Sequence, residues 1–317
     1  MVMLMQSFIF PGQGSQRVGM GWEFYRSSRA AREVFEAASD ILGYDVTGMC
    51  FRGPAETLTA TENAQPAIFT CSMAALAALR ERCVEAQIVA GHSVGEFAAL
   101  VAAGCLDFNT ALQAVRKRGE LMAAVETPGA MTAIVGLAEK KVEELCVKAS
   151  TLGPVAVALY NSPVQVVVSG ARPAVEEVGE LARQAGALKV VPLAVSSAFH
   201  SPLMAGVAGE WSAYVSRLPI KPPRVPVVLN TTAQTSGDPE EIRRELVDQL
   251  TSPVLWTQTV RTMIARGVRR AVEVGASKVL TVLNRSISRE LESVSLDHPA
   301  VINRLPAESP SLQQAAG

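Results

Sequence analysis

Residues 87–96 read QIVAGHSVGE, a short apolar run followed by Gly-His-Ser-Val-Gly. The apolar run predicts a buried strand at 87–90, and residues 97–103 have the periodicity of a helix. G-x-S-x-G between a strand and a helix is typical of a sharp turn that exposes a serine hydroxyl at the helix N-terminus. The alternative to an exposed, reactive serine is a glycine-rich turn in which the serine only caps the helix. Because strand, motif and helix agree here, we predict that Ser93 is a nucleophile.

Strand-like and helix-like runs alternate on both sides of this motif, which favours an α/β protein with a mainly parallel sheet. Further strands of this sheet are predicted at 7–10, 225–229 and 270–274, and further helices at 67–82 and 112–124. Residues 305–317 are rich in Pro, Ser, Gln and Ala and are expected to form a frayed tail.

The middle of the chain has a different order of elements. Strands are predicted at 131–135, 155–159, 165–169 and 188–191, and helices at 139–148 and 173–185. This βαββαβ order matches a ferredoxin-like unit. We therefore expect two parts: a large α/β-hydrolase-like domain of residues 1–128 and 198–317, and an inserted small ferredoxin-like subdomain of residues 129–197.

Composition disfavours several classes of function. The 317 residues, 49% of them hydrophobic, are enough for a large core. A net charge of −1 provides no field to hold DNA or RNA. The five cysteines include no C-x-x-C pair that would bind zinc or perform redox chemistry, so we expect reduced thiols in a cytoplasmic protein without a metal site. The apolar opening MVMLMQSFIF is expected to be a buried strand and no membrane span, because Pro11 and Gly12 interrupt it.

A serine hydroxyl needs a base to remove its proton, and the sequence has three histidines. His92 is adjacent to Ser93, and we expect it to support the turn because a neighbouring side chain points elsewhere. His298 lies in a polar stretch, where an exposed histidine without a catalytic role is expected. His200 lies in a loop after an apolar run at 190–195, a position that suits a catalytic base. His200 is therefore the favoured candidate.

Two further features allow more than one interpretation. Gly-Gln-Gly-Ser-Gln at 12–16 follows the first predicted strand but lacks the G-x-G-x-x-G spacing and the acidic partner of a dinucleotide site. Its alternative role is a tight turn whose backbone N–H supplies an oxyanion donor.

Arg118 lies four residues before Met122 on an amphipathic helix, where a solvated charge or a surface ion pair is the ordinary expectation.

Eight blocks of sequence, in this order, span nearly the whole chain. They are FPGQGSQ (10–16), QPAIFT (65–70), GHSVGE (91–96), RKRGELM (116–122), YNSPVQVVVSG (160–170), AFHSPLM (198–204), QLTSPVLW (249–256) and EVGASKVL (273–280). Together they resemble the malonyl-CoA:acyl-carrier-protein transacylase family, which includes the fatty-acid enzyme and the acyltransferases of polyketide synthases. In EVGASKVL, Ala276 and Ser277 stand where the family usually has Pro and Gly.

The resemblance implies a catalytic role for several matching residues. Ser93 resembles the serine that is acylated, and His200 resembles the base that activates it. The backbone carbonyl of Gln249 is implied to orient the imidazole in place of a carboxylate. The backbone N–H groups of Gln13 and Val94 are implied to form the oxyanion hole.

The resemblance also implies which residues bind the substrate. Arg118 matches the arginine that binds the free carboxylate of malonate in a bidentate pair. Phe199, together with Val94, resembles malonyl-selective members, in which the aromatic ring discourages a methyl branch on the α-carbon. Met122, Gln65 and Asn161 are the other implied substrate-binding residues.

The implied function is transfer of a malonyl group from malonyl-CoA, through a seryl ester, to the phosphopantetheine thiol of an acyl-carrier protein, in fatty-acid or polyketide synthesis. No metal or redox cofactor is implied, and we expect a monomer. One alternative is a serine thioesterase or acyl hydrolase of α/β-hydrolase type, with Ser93 and His298 in a triad. Another is a non-catalytic module that docks a carrier protein. The combination of Ser93, His200 and Arg118 favours the transferase.

Overall fold

Two β-sheets with helices packed against them make up the described part of the chain. A computed structural model describes residues 5–125, 127–195, 197–275 and 277–307. The first four residues of the predicted opening strand, Ala276 of the EVGASKVL block, and residues 308–317 of the predicted tail lie outside the described residues.

The strands follow one another as the sequence predicts, with additions in the last third of the chain. In chain order they are β1 (Met5–Phe10), β2 (Ile88–Gly91), β3 (Gly129–Val135), β4 (Val155–Ser162), β5 (Gln165–Ala171), β6 (Lys189–Pro192), β7 (Val227–Val228), β8 (Thr235–Ser236), β9 (Val268–Val274) and β10 (Glu292–Leu296). The predicted strand at 225–229 is shorter than expected, and β8 and β10 were not predicted.

The helices surround these strands. They are α1 (Trp22–Ser27), α2 (Arg29–Leu42), α3 (Val46–Arg52), α4 (Ala55–Thr59), α5 (Thr61–Arg80), α6 (Gly95–Ala102), α7 (Phe108–Ala123), α8 (Glu139–Ala149), α9 (Arg172–Gln184), α10 (Ala205–Val215), α11 (Pro239–Asp248), α12 (Trp256–Ala265) and α13 (Val279–Ile287), with short 3₁₀ turns at Ser150–Leu152, Pro202–Met204 and Pro299–Arg304. Helix α5 starts earlier than the predicted 67–82 and contains Pro66, a residue that usually marks a helix boundary. No helix among the described residues is long and apolar enough to cross a membrane.

The larger sheet has the strand order β10-β9-β1-β2-β7-β8. Its strands pair in parallel except for β8, which runs antiparallel to β7. Strands β1 and β2 are almost wholly buried, as expected for a sheet covered by helices on both faces. Helix α6 packs on one side of this sheet and α12 on the other, and apolar clusters fill both interfaces.

The smaller sheet is antiparallel throughout and has the order β4-β5-β3-β6. Helices α8 and α9 cover it through a separate apolar cluster that includes Ile134, Val142, Val166 and Val178. This arrangement confirms the predicted ferredoxin-like βαββαβ order, and the two sheets together confirm the predicted α/β fold class.

The parallel strands bring three loops to one edge of the larger sheet. The carboxyl ends of β1, β2 and β7 lead into the loop at 12–16, the GHSVG turn and Asn230, respectively. The carbonyl of Phe10 accepts a hydrogen bond of 2.9 Å from the N–H of His92, so the first two loops are in contact. Crevices at this edge are the usual ligand sites of open α/β sheets.

Candidate active site

Ser93 lies at the turn between β2 and α6. Its φ of 52° is in the left-handed region, which non-glycine residues adopt rarely and mostly at functional sites. The flanking glycines are required, because a Cβ on Gly91 would lie 2.1 Å from the carbonyl of Gly95, and a Cβ on Gly95 would lie 2.2 Å from the oxygen of Phe10. The turn therefore presents the Ser93 hydroxyl at the N-terminus of α6, as the motif predicts.

The Ser93 hydroxyl is hydrogen-bonded to His200. Ser93 Oγ lies 2.7 Å from Nε2 of the imidazole. Nδ1 lies 2.8 Å from the backbone oxygen of Gln249 and 3.2 Å from that of Ser252. Because a carbonyl only accepts, Nδ1 carries the proton, and Nε2 is the acceptor for the serine proton. The structure thus places the serine hydroxyl, the imidazole and a backbone carbonyl in one chain of hydrogen bonds, the geometry that a nucleophile and its base require.

The imidazole of His200 is buried and neutral. Burial, and secondarily the positive charge of Arg118, lower the pKa of His200 to about 3. The ring is therefore unprotonated at neutral pH, which is the state that can accept a proton from Ser93.

Arg118 lies inside the site, so the ordinary expectation of a solvated surface charge is wrong. Its side chain is 1% exposed. Nη1 donates to Oε1 of Gln65 (2.7 Å), and Nη2 donates to Oε1 of Gln249 (2.9 Å) and to Oγ of Ser93 (3.2 Å). Burial lowers the pKa of Arg118 to about 10, so the guanidinium stays charged at neutral pH. A buried cation next to the nucleophile suits an acyl group that carries a carboxylate.

The predicted oxyanion donors lie close to the nucleophile in the fold. Val94 is the N-cap of α6, and Gln13 lines the same cavity as Ser93. A Cβ on Gly12 would lie 2.5 Å from the backbone oxygen of His92, so the loop after β1 passes close to the turn. Among the described residues, neither backbone N–H donates a hydrogen bond to another protein group. Both remain available to a ligand.

A cavity of about 230 Å³ opens above Ser93 and His200. Its wall is largely apolar and includes two of the predicted substrate-binding residues, Met122 and Phe199, together with Met131 of β3. The cavity therefore lies between the two sheets, with Ser93 on the side of the larger one.

The other two histidines are not hydrogen-bonded to Ser93. His92 Nε2 lies 2.9 Å from Oδ1 of Asn161, and its ring packs 5.6 Å from that of Trp256, so it supports the turn as predicted. His298 is exposed and caps a 3₁₀ turn through Nδ1, which accepts from the N–H of Ala300. Asn161, predicted to bind substrate, is thus engaged with His92, and its contact with a ligand stays a prediction.

Comparison with known proteins agrees with this geometry. The family described as "Acyl transferase domain" matches residues 7–302. The chain belongs to this family. One relative is the malonyl CoA-acyl carrier protein transacylase of Bacillus subtilis. It is 40% identical over 299 residues, which cover 93% of this chain and 94% of that protein.

Solved structures of similar acyl transferases superimpose closely. An acyl carrier protein S-malonyltransferase from Vibrio cholerae matches with a TM-score of 0.91 at 38% identity, over 94% of this chain and 99% of the other. A malonyl-transacylase solved in complex with its type II polyketide-synthase acyl-carrier protein matches with a TM-score of 0.92 at 36% identity, over 94% and 98% of the two chains. The predicted resemblance to the transacylase family is confirmed.

Two residues of the acyl transferase site, Asn230 and Glu96, were not predicted from the sequence. Oδ1 of Asn230 accepts from the N–H of Ser93 (2.8 Å), and its Nδ2 donates to the oxygen of Gly91 (2.8 Å). Asn230 thereby holds both ends of the turn. Its only signal in the sequence is a polar side chain directly after the strand predicted at 225–229.

Glu96 is a second such residue. It lies in the first turn of α6, where a carboxylate is usually a solvated partner of the helix dipole. Here its side chain is fully buried and accepts from the N–H of Asn230 (3.2 Å) and from Nε2 of Gln249. Among the described residues, no group of three or more His, Cys, Asp and Glu side chains is placed to hold a metal ion.

Proposed function

We propose that this chain transfers a malonyl group from malonyl-CoA to the phosphopantetheine thiol of an acyl-carrier protein, through an ester on Ser93. The observation that carries the proposal is a 2.7 Å hydrogen bond from Ser93 to a neutral His200, with the charged Nη2 of Arg118 only 3.2 Å from the same Oγ. The malonyl transacylases that are 40% identical to this chain support the same substrate and acceptor.

In the first half-reaction, His200 Nε2 accepts the proton of Ser93 while Oγ attacks the thioester carbonyl. The N–H groups of Gln13 and Val94 bind the oxyanion. The C–S bond then breaks, and the CoA thiolate leaves with the proton from Nε2. Throughout these steps the carbonyl of Gln249 accepts a hydrogen bond from Nδ1–H and keeps the ring in one orientation.

The second half-reaction reverses these steps with a different thiol. The phosphopantetheine sulfur of the carrier protein attacks the ester carbonyl, His200 takes the thiol proton, and Ser93 leaves as an alcohol after receiving that proton. Electrons and protons balance within this cycle, so it needs no metal or redox cofactor. The likeness to a transacylase solved with its carrier protein supports this class of partner.

Selection of the acyl group falls to Arg118. Its guanidinium binds the free carboxylate of the malonyl group, and Gln65 holds the guanidinium from the other side (2.7 Å). Phe199 and Met122 form the wall beside the α-carbon, with Asn161 further back, next to His92. An acetyl group lacks the carboxylate that would pair with this guanidinium, which disfavours it.

We propose further that the enzyme acts as a cytoplasmic monomer, in fatty-acid or polyketide synthesis. Its large domain (1–128 and 198–317) carries the nucleophile and the base, and its small domain (129–197) supplies Met131 and Leu159 to the cavity wall.

The test is intact-protein mass spectrometry of Ser93 after incubation with malonyl-, methylmalonyl-, ethylmalonyl- or acetyl-CoA. We expect malonyl-CoA to load the wild type and His298→Ala, and neither Ser93→Ala nor His200→Ala to be loaded. Loading lost in His298→Ala instead would support the hydrolase alternative. A loaded enzyme that releases malonate to water and not to a carrier protein would also contradict the proposal. Carrier binding without any loading would identify a docking module.

A further inference from the structure

The positive charge of Arg118 has no carboxylate in direct contact within the described part of the chain. Its three hydrogen-bond acceptors are Gln65, Gln249 and Ser93, all of them neutral. A buried cation is costly without a counter-charge. Glu96, which is fully buried, is the anionic group whose charge acts on Arg118.

The side-chain amide of Gln249 connects these two charges. Its Oε1 accepts from Nη2 of Arg118 (2.9 Å), and its Nε2 donates to Oε2 of Glu96 and to the backbone oxygen of Ser93 (3.3 Å). A guanidinium only donates and a carboxylate only accepts, so this amide has a single satisfactory orientation. The amide dipole therefore runs from the carboxylate to the guanidinium.

The neighbours of Glu96 act on its carboxyl group in opposite directions. Burial, and secondarily the charge of Glu245, raise the pKa of Glu96 well above its ordinary value, whereas hydrogen bonds from Asn230 and Gln249 oppose that rise. Both carboxylate oxygens accept, one from the N–H of Asn230 and the other from Nε2 of Gln249. In this arrangement neither donor can accept an O–H from a protonated Glu96. The hydrogen-bond geometry around Glu96 is therefore that of a carboxylate.

We propose that Glu96 is a positioning residue, which acts through the amide of Gln249 to orient the guanidinium of Arg118 and to balance its charge without contacting it. A carboxylate in direct contact would neutralise the guanidinium. Because the acceptor on Nη2 is a neutral amide, the guanidinium keeps a positive charge that can pair with the malonyl carboxylate. This inference rests on the proposed function and explains how the same site favours an acyl group with a free carboxylate.

The first test is Glu96→Gln, read as the rates of Ser93 loading by malonyl-CoA and by acetyl-CoA. The introduced NH₂ group faces either the N–H of Asn230 or the NH₂ of Gln249, and both are donors. Rotation of the Gln249 amide would relieve this conflict between donors. It would also turn the NH₂ group toward Arg118, which then loses an acceptor. We expect malonyl loading to fall about tenfold or more while acetyl loading changes less than about threefold.

Two matched variants separate this role from a general structural one. Glu245→Gln removes another buried carboxylate, which accepts from the N–H and the hydroxyl of Thr231. The charge of Glu245 raises the pKa of Glu96, so its removal favours the ionised form of Glu96 and leaves the Gln249 amide in place. We expect its malonyl-to-acetyl ratio to stay within about twofold of the wild type. Glu96→Asp keeps the charge, and we expect it to recover part of the ratio lost in Glu96→Gln.

Exchanging the side chains of positions 96 and 249 tests whether the carboxylate must be separated from Arg118. In the double variant E96Q/Q249E, the introduced carboxylate contacts Arg118 directly and accepts from the amide introduced at position 96. The backbone carbonyl that orients His200 is unchanged. We expect the melting temperature to recover relative to E96Q alone, whereas the KM for malonyl-CoA stays raised about tenfold or more, because the guanidinium is already neutralised.

The outcomes are distinct. Equal losses for malonyl and acetyl loading in E96Q would show a merely structural role and overturn the proposal. A higher malonyl-to-acetyl ratio in E96Q would mean that Glu96 only repels the substrate, which also overturns it. Recovery of malonyl loading in E96Q/Q249E would refute the importance of the spacing. If the wild type itself is not loaded by malonyl-CoA, the proposed function fails instead.

Discussion

The pKa of His200 predicts that Ser93 is acylated well into the acidic range. Burial and the charge of Arg118 lower this pKa from 6.5 to about 3. Only the neutral imidazole accepts the serine proton, so the acylation rate should stay constant from about pH 7 down to about pH 4 and fall below that. An exposed histidine would instead lose activity near its ordinary pKa.

The perturbation that isolates the contribution of the charge is Arg118→Met. Burial is the larger cause of the shift and remains in the variant, whereas the like charge is removed. We expect the acid limb of the acylation profile to move to higher pH by about one unit, equivalent to about 1.4 kcal/mol. Acetyl-CoA is the substrate in both proteins, because this variant lacks the group that binds the malonyl carboxylate.

Stability should change with pH through the same histidine. The folded pKa of His200 lies below the unfolded value, so between 6.5 and about 3 the unfolded chain binds a proton that the folded chain does not. The free energy of unfolding should therefore fall as the pH decreases, by up to about 1.4 kcal/mol for each pH unit. His200→Asn lacks this proton, and the difference between the two urea titrations across this range isolates the effect.

The acid limb of the acylation rate, in the wild type and in Arg118→Met, is measured by rapid-quench intact mass spectrometry of the Ser93 ester. Folding is checked by circular dichroism at each pH. The reasoning would be refuted by a wild-type acid limb near the ordinary histidine pKa. It would equally be refuted by coincident limbs in the wild type and Arg118→Met, because the charge would then have no influence on the base.

Three further substitutions test other parts of the site. Gly95→Ala places a Cβ 2.2 Å from the oxygen of Phe10, and we expect it to reduce soluble expression and loading severely, as measured on the purified variant. Asn230→Ala leaves the N–H of Ser93 without its acceptor; we expect a loss of about 1–3 kcal/mol in urea unfolding and slower loading by every acyl-CoA. Phe199→Ala enlarges the cavity and should raise the ratio of methylmalonyl to malonyl loading by about tenfold or more, whereas an unchanged ratio would remove Phe199 from selectivity.

Much of this site could be predicted because its signals are local in the sequence. The turn around Ser93 depends on glycines at fixed spacing between an apolar strand and a helix, and all of these are contiguous. The strand predicted at 87–90 is observed at Ile88–Gly91, and the helix predicted at 97–103 at Gly95–Ala102. The βαββαβ order could also be predicted, because strand and helix segments differ in the periodicity of their hydrophobic residues.

The rest depends on contacts between distant segments. The helical pattern alone predicts an exposed Arg118, and only its packing against Gln65 and Gln249 makes it a buried cation. Glu96 and Asn230 are ordinary polar residues in sequence, and the network that joins them spans 134 positions. The short β7 and β8 carry too few residues for any period to be recognised.

The group that accepts the hydrogen bond from Nδ1–H of His200 is the main-chain oxygen of Gln249, just after α11 ends at Asp248. Every amino acid carries such an oxygen, so replacing the side chain at position 249 leaves this acceptor in place. A scan of side-chain substitutions therefore does not test the backbone oxygen that orients the imidazole. Evolution can alter that member only by moving the backbone, through an insertion, a deletion or a shift in where the helix ends.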